Sequence, residues 1–252
     1  NHLQIALNMK KYELCIIIPC YNEVDRISIT KYISFLKKNA DTLICFVDDG
    51  SSDQTKNSLS EIKKQYQDNV TIVFHPNNRG KAETIRTGIL YCNKVYDYLY
   101  IAYIDADLAV SLDECKSLTK YMQDDIIFCF GSRIRKVGSK IERRFPRFLI
   151  GRIIATVISN MLKLGVYDTQ CGCKIFPKSI SLKIFQEQFL SKWLFDVEIF
   201  FRIFELLGRG KAEKGMLEIP LSNWTDVGKS KIQMSYGLYI FIDLIRINNR
   251  YK

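Results

Sequence analysis

The sequence predicts an α/β fold, a mainly parallel sheet with helices on both faces. Three observations carry this. Short apolar runs recur through the first half, at residues 14–19, 43–47, 70–74, 98–104 and 126–130. They are rich in β-branched and aromatic residues and uniformly apolar, which suits strands buried on both faces. The segments between them carry helical spacing or helix-start signals, so strand and helix alternate.

Each element has its own signal. LCIIIP (14–19) is the first strand. Residues 25–38 place Ile29, Ile33 and Leu36 on one helical face. The strand 43–47 ends at Asp48-Asp49-Gly50-Ser51, and Ser52 or Asp53 caps a helix reaching about Tyr66. After strand 70–74, the loop Asn77-Asn78-Arg79-Gly80-Lys81 opens a helix to about Cys92. Strand 98–104 ends at Asp105-Ala106-Asp107, and a helix over 112–122 leads to strand 126–130. The second half predicts an apolar helix at 145–164, short strands at 174–177 and 216–220, and helices at 178–186 and 195–207. Residues 236–247 read as a core helix or as a membrane-surface helix.

Composition narrows the function classes. The 252 residues suffice for one large domain, and 5 prolines with no low-complexity tract leave no disordered linker. Either Met9 is a native start or an upstream segment is missing, and residues 1–8 stay outside the fold argument. The net charge of +10 is concentrated in Arg133, Arg135, Lys136, Lys140, Arg143, Arg144, Arg147 and Arg152. Such a run attracts phosphates, nucleic acid or an acidic membrane surface, or is a solvated basic loop. Cys15, Cys20, Cys45 and Cys129 sit in or beside apolar runs and read as buried thiols. Cys171 and Cys173 lack the second pair a zinc site needs, so a reducing compartment is expected. No stretch reaches the roughly 20 uninterrupted apolar residues of a membrane span. Residues 148–164 come nearest, and Arg152, Asn160 and Lys163 interrupt them.

Acidic residues stand after three of the strands: Glu23 after the first, Asp48 and Asp49 after the second, Asp105 and Asp107 after the fourth. In a parallel sheet these ends share one edge, where ligands bind. Gathered carboxylates repel each other unless a cation compensates. Two carboxylates spaced i, i+2 at a strand end are hard oxygen ligands suited to Mg²⁺ or Mn²⁺ and a diphosphate. Alone, D-x-D is a weak pattern, and its place after an apolar strand strengthens it. No G-x-x-x-x-G-K-[ST] and no G-x-G-x-x-G occurs, which disfavours P-loop and dinucleotide folds. Lys81, behind Gly80 at a helix start, reads either as a phosphate contact or as an exposed lysine.

Read together, LCIIIPCYNE (14–23), FVDDGSSDQT (46–55), NRGKAETIRTG (78–88) and IDADL (104–108) resemble the inverting family-2 glycosyltransferases of GT-A fold. GSR (131–133), DTQCGCKIF (168–176), WLFDVE (193–198) and EIPLSNWTDVGKSK (218–231) resemble its dolichyl-phosphate glucosyl and mannosyl branch, the glucosyl type more closely. The similarity spans roughly residues 14–251. It implies a three-layer α/β/α fold over residues 10–252, with a nucleotide-binding half (10–131), an acceptor and sugar half (132–235) and a membrane-surface helix (236–250). It implies that Pro19, Tyr21 and Glu23 line the nucleoside pocket, that Asp49 reads the base, and that Lys81 faces the nucleotide. Asp105 would contact the ribose or the metal, and Asp107 would bind the metal. Arg133, with some of Arg143 and Arg147, would hold the acceptor phosphate or balance the diphosphate. Asp168 and Gln170 would border the sugar, and Trp193, Asp196 and Glu198 would face it.

Alternatives stay open at Tyr21 and Trp193, which read equally as packing aromatics. Asp196 is either the base a hydroxyl acceptor requires or a buried, paired carboxylate. Three departures from the family pattern stand out. Ala109 occupies a place where some mannosyl enzymes offer a glutamine to the metal, Lys229 replaces a turn glycine, and Cys173 replaces an aromatic. The expected reaction moves a hexose from a UDP-sugar, UDP-glucose first, to a polyprenyl phosphate, or else to a saccharide or glycolipid hydroxyl. The expected setting is the cytoplasmic membrane face with peripheral contact. A nucleotidyltransferase is disfavoured by Cys20-Tyr21-Asn22-Glu23 where a glycine-rich basic loop belongs, and a nucleic-acid partner by the acidic strand ends.

Overall fold

The computed structural model describes residues 10–123, 125–142, 145–225 and 236–252. The element order is β1 (Lys11–Cys20), α1 (Ile29–Lys38), β2 (Thr42–Asp48), α2 (Thr55–Gln65), β3 (Val70–Phe74), α3 (Lys81–Val95) and β4 (Asp97–Tyr103). Then come α4 (Leu112–Ser117), a 3₁₀ turn (Leu118–Tyr121), β5 (Phe128–Ser132), β6 (Lys140–Glu142), α5 (Phe145–Leu162) and β7 (Lys174–Pro177). The last are α6 (Lys178–Phe185), α7 (Phe195–Leu207), α8 (Arg209–Lys214), β8 (Met216–Pro220), β9 (Asn223–Thr225) and α9 (Tyr236–Tyr251).

Seven strands form one sheet in the order β3-β2-β1-β4-β7-β5-β8. The first four are parallel, in a register that sets Cys20 of β1 beside Asp48 of β2 and Ile17 beside Tyr103 of β4. β7 runs antiparallel to both neighbours, whereas β5 and β8 are parallel. One apolar cluster lies on each face. The first gathers α3, α5, α6, α7 and α9 around Phe128, Phe176, Phe195 and Phe200; the second packs α1, α2 and α4 over Ile16, Ile18, Ile44 and Phe46. Burial on both faces explains the unbroken apolar runs. All eight cysteines are buried thiols outside any disulfide, packed as small side chains.

Two helices differ from the expectation. The helix expected from Asp25 begins at Ile29, because the Arg26 and Ile27 amides bond back to the Glu23 carbonyl and close a turn first. The helix expected over 112–122 ends at Ser117 and tightens into the 3₁₀ turn, a common way for a helix to terminate. Ser111 caps its start, accepting from the Glu114 amide.

Candidate active site

The parallel strands deliver their following loops to one edge, and backbone amides tie these loops together. The Asn22 amide donates to Ser51 Oγ (2.9 Å), Glu23 to Thr55 Oγ1 (2.8 Å) and Val24 to Asp53 Oδ2 (3.2 Å). Asp53 Oδ1 also accepts from the Thr55 amide (2.9 Å) ahead of the helix, whose N-cap is Gln54 and not the expected Ser52 or Asp53. The segment 48–55 is thus the frame on which Pro19, Tyr21 and Glu23 are mounted. Tyr21 is partly exposed there, while Glu23 is buried.

Asp49 acts on the next loop. Its Oδ1 accepts from the Arg79 amide (2.9 Å) and meets His75 Nδ1 (2.8 Å), and its Oδ2 accepts from the Gly80 amide (2.9 Å). Gly50 stands where a Cβ would lie 2.8 Å from the Asn77 backbone, so only glycine lets this loop cross. Asp49 therefore fixes the start of α3, and with it Lys81. Asp48 is fully buried, caps the turn at Ser51 and lies 3.9 Å from Lys56.

The D-x-D turn follows β4. Leu108 adopts a left-handed conformation (φ 53), at a cost of order 1 kcal/mol. Its amide donates to the Asp105 carbonyl, and the Ala109 amide donates to Asp107 Oδ1 (3.1 Å). The buried Tyr32 hydroxyl holds the Ala106 carbonyl (3.1 Å). Both carboxylates face cations. Lys81 pairs with Asp105, and Arg26 bridges Glu23 (Nε–Oε2 2.6 Å) to Asp107 (Nη1–Oδ2 3.4 Å). Burial, then the neighbouring Asp105 charge, pushes the Asp107 carboxyl above the ordinary aspartate value. Burial alone would lower the Lys81 ammonium, but Asp105, Asp196 and Asp107 outweigh it and raise it. One cation thus feels three carboxylates from two distant segments.

The second half closes the site. A Cβ on Gly172 would meet Asp105 Oδ2 at 2.6 Å, so the C-G-C turn lies directly against the D-x-D carboxylate. Arg133 clamps Asp168 through Nε (2.7 Å) and Nη2 (2.8 Å) and lies over the Trp224 ring. Burial works against this guanidinium, and Asp168 more than offsets it, raising it further. Glu218 of β8 holds that loop from behind, accepting the Tyr167 (2.9 Å) and Asp168 (2.7 Å) amides. Around this clamp, Ser132 Oγ, Thr169 Oγ1 and Gln170 Nε2 are buried without a hydrogen-bond partner. Unsatisfied buried polar atoms cost about 1–3 kcal/mol each, so the surroundings of Arg133 carry an energetic cost that the packing of the loop offsets.

Asp196 is buried and paired. Its Oδ1 accepts from Tyr103 (2.5 Å) and lies 2.7 Å from Lys174 Nζ, itself fully buried and donating to the Cys171 carbonyl (2.6 Å). Glu198, two residues onward, accepts the Leu190 and Ser191 amides and so shapes the loop before α7 rather than facing outward. Trp193 is half-buried. The side chains of Arg143 and Arg147, and residues 226–235 with Lys229, lie outside the described residues. Sequence reasoning missed Arg26, Lys174 and the role of Glu218. Only Arg26 carried a signal, three residues after a strand-end glutamate, a spacing at which opposite charges meet on a turn.

The donor set fits a hard divalent cation. Among the described residues no group of three His, Cys, Asp or Glu side chains converges on one point. Asp105 and Asp107 would offer two carboxylates, the number with which Mg²⁺ is commonly held when phosphate oxygens complete its shell.

Glycosyl transferase family 2, as a sequence profile, matches residues 15–185. The dolichyl-phosphate beta-glucosyltransferase of Dictyostelium discoideum is 30% identical, over 94% of this chain and 74% of its own length. The Saccharomyces cerevisiae protein of that name is 31% identical over 94% and 75%. Among solved structures, glucosyl-3-phosphoglycerate synthase from Mycobacterium tuberculosis, in complex with Mn²⁺, UDP-glucose and phosphoglyceric acid, superposes with a TM-score of 0.68. It is 13% identical over 94% of this chain and 80% of that one, which establishes likeness of fold. The matched profile begins in β1 and covers every strand-end carboxylate described above: the chain belongs to glycosyl transferase family 2.

Proposed function

We propose that this protein transfers glucose from UDP-glucose to a polyprenyl phosphate, with inversion and with Mg²⁺ or Mn²⁺ bound by Asp105 and Asp107. The observation that carries the reading is the meeting of Asp105 and Asp107 with Lys81, Arg26 and Arg133 at one sheet edge, in a chain aligned along most of its length with dolichyl-phosphate glucosyltransferases. The metal, when bound, supplies Lewis-acid charge stabilisation to the leaving diphosphate. Pro19, Tyr21 and Glu23 border the nucleoside, and Asp49 sets the Lys81 loop beside it. Arg133, oriented by Asp168, faces the acceptor phosphate.

A phosphate oxygen is already anionic near neutral pH, so attack on the anomeric carbon needs positioning and charge balance but no base. That agrees with Asp196, whose Oδ1 is held by Lys174 and Tyr103. We assign Asp196 to positioning.

Peripheral membrane contact at the cytoplasmic face belongs to the same proposal. Among the described residues no helix is long and apolar enough to cross a membrane. Leu149, Ile150, Ile153 and Val157 of α5, and Tyr239, Phe241, Ile242 and Ile245 of α9, are nevertheless exposed. Exposed Arg135 and Lys136 add attraction of about 1 kcal/mol each near an anionic surface.

The test is radiolabelled UDP-glucose offered with polyprenyl phosphate or with a saccharide. An acid-labile, lipid-extractable product is expected from the first. Transfer to the saccharide alone would overturn the acceptor assignment.

A further inference from the structure

We infer that Arg26 and Lys81 are internal counter-cations which occupy the D-x-D carboxylates before substrate arrives, so that metal and nucleotide diphosphate each bind more tightly once the other is present. The inference rests on the metal and UDP-sugar reading above. Arg26 donates to both Glu23 oxygens and reaches Asp107 at 3.4 Å; Lys81 pairs with Asp105. All of Arg26, Lys81 and Asp107 keep between 18% and 21% of their side chain exposed, so a solute reaches them, yet they are dry enough for charge to count.

The charges decide the order. Glu23, Asp105 and Asp107 carry three negative charges against the two positive charges of Arg26 and Lys81, leaving one negative. A divalent cation alone reverses that sign and must displace two organic cations. A sugar-linked diphosphate alone, with about two negative charges (free UDP carries about three near neutral pH), enters a site already negative. Together they return the net charge to one negative, and the displaced guanidinium and ammonium acquire phosphate oxygens as partners. Each ligand therefore removes the cost of the other, which is positive coupling between two sites a few ångströms apart.

Mn²⁺ binding to the full chain, followed by the paramagnetic resonance signal of free Mn²⁺ with and without UDP, tests this. UDP is expected to tighten Mn²⁺ at least about tenfold, within the usual range of coupling between sites. In Arg26→Gln, Mn²⁺ alone is expected to bind more tightly than in the parent, and the effect of UDP to shrink below about threefold. Arg26→Lys keeps the charge and is expected to keep the coupling. Lys81→Met reports from the other carboxylate, so the inference survives testing even where one variant folds poorly. UDP-dependent Mn²⁺ binding that is unchanged in both Arg26→Gln and Lys81→Met overturns this inference alone. Absence of Mn²⁺ binding to the parent protein even with UDP overturns the metal reading with it.

Discussion

Gly172 and Asp105 are in direct contact across 67 residues of chain: a single added carbon on the glycine would sit 2.6 Å from the carboxylate oxygen. The pair joins the turn before antiparallel β7 to the turn that follows parallel β4.

Gly172→Ala is therefore a displacement experiment. The Cβ pushes Asp105 from its place while leaving its charge. We expect kcat/KM for sugar transfer to fall by about 100-fold, the size of effect that a misplacement near 1 Å produces. The far-ultraviolet circular dichroism should stay unchanged. Full activity would show that Asp105 tolerates the shift.

Asp107 separates function from stability. Burial and the Asp105 charge raise its carboxyl above the ordinary value, so the folded state binds its proton more tightly than the unfolded chain does. The metal-free protein then loses this contribution as pH rises from the unfolded value, about 4, through the raised folded one. Asp107→Asn removes the charge and keeps an oxygen for the Ala109 amide. It should raise Tm of the metal-free protein at pH 7 by about 1–3 °C, abolish the added stabilisation by UDP-glucose with Mn²⁺, and flatten the acid end of the stability profile. A lower Tm at pH 7 would mean that the Arg26 pairing outweighs burial.

Lys174 and Asp196 form a pair whose halves depend on each other. Lys174→Met strands a buried carboxylate, and we expect a loss of about 3–5 kcal/mol in urea unfolding. Lys174→Met with Asp196→Asn, which removes both charges, should lose less than the single change. A double variant weaker than Lys174→Met would show that the charges act independently.

Glu218→Gln tests the support behind Arg133. One amide of Tyr167 or Asp168 loses its acceptor, so the loop carrying Asp168 loosens. KM for the phosphate acceptor should rise several-fold while that for UDP-glucose stays within about twofold. Equal increases in both would place Glu218 in general stability.

The strand-end carboxylates were legible because alternation of apolar runs and helices determines which ends share an edge, and Glu23, Asp49, Asp105 and Asp107 all follow strands. The antiparallel course of β7 was not legible. IFP flanked by Lys174 and Lys178 reads the same in either direction, and orientation comes from the long return through α5. Asp49 was visible as an acidic strand end, but its amide partners at Arg79 and Gly80 belong to backbone geometry. Lys174 was hidden for a different reason. A lysine at a strand start reads as solvated, and only the fold brings Asp196, 22 residues onward, to its Nζ.

The sulfur atoms have a practical consequence. Eight thiols, distributed from β1 to the turn before β7, are all sealed inside the native protein and none is in a disulfide. A maleimide dye has no target until a layer of the sheet opens. Mass spectrometry of the labelled peptides would then report, without any engineered probe, which layer yields first.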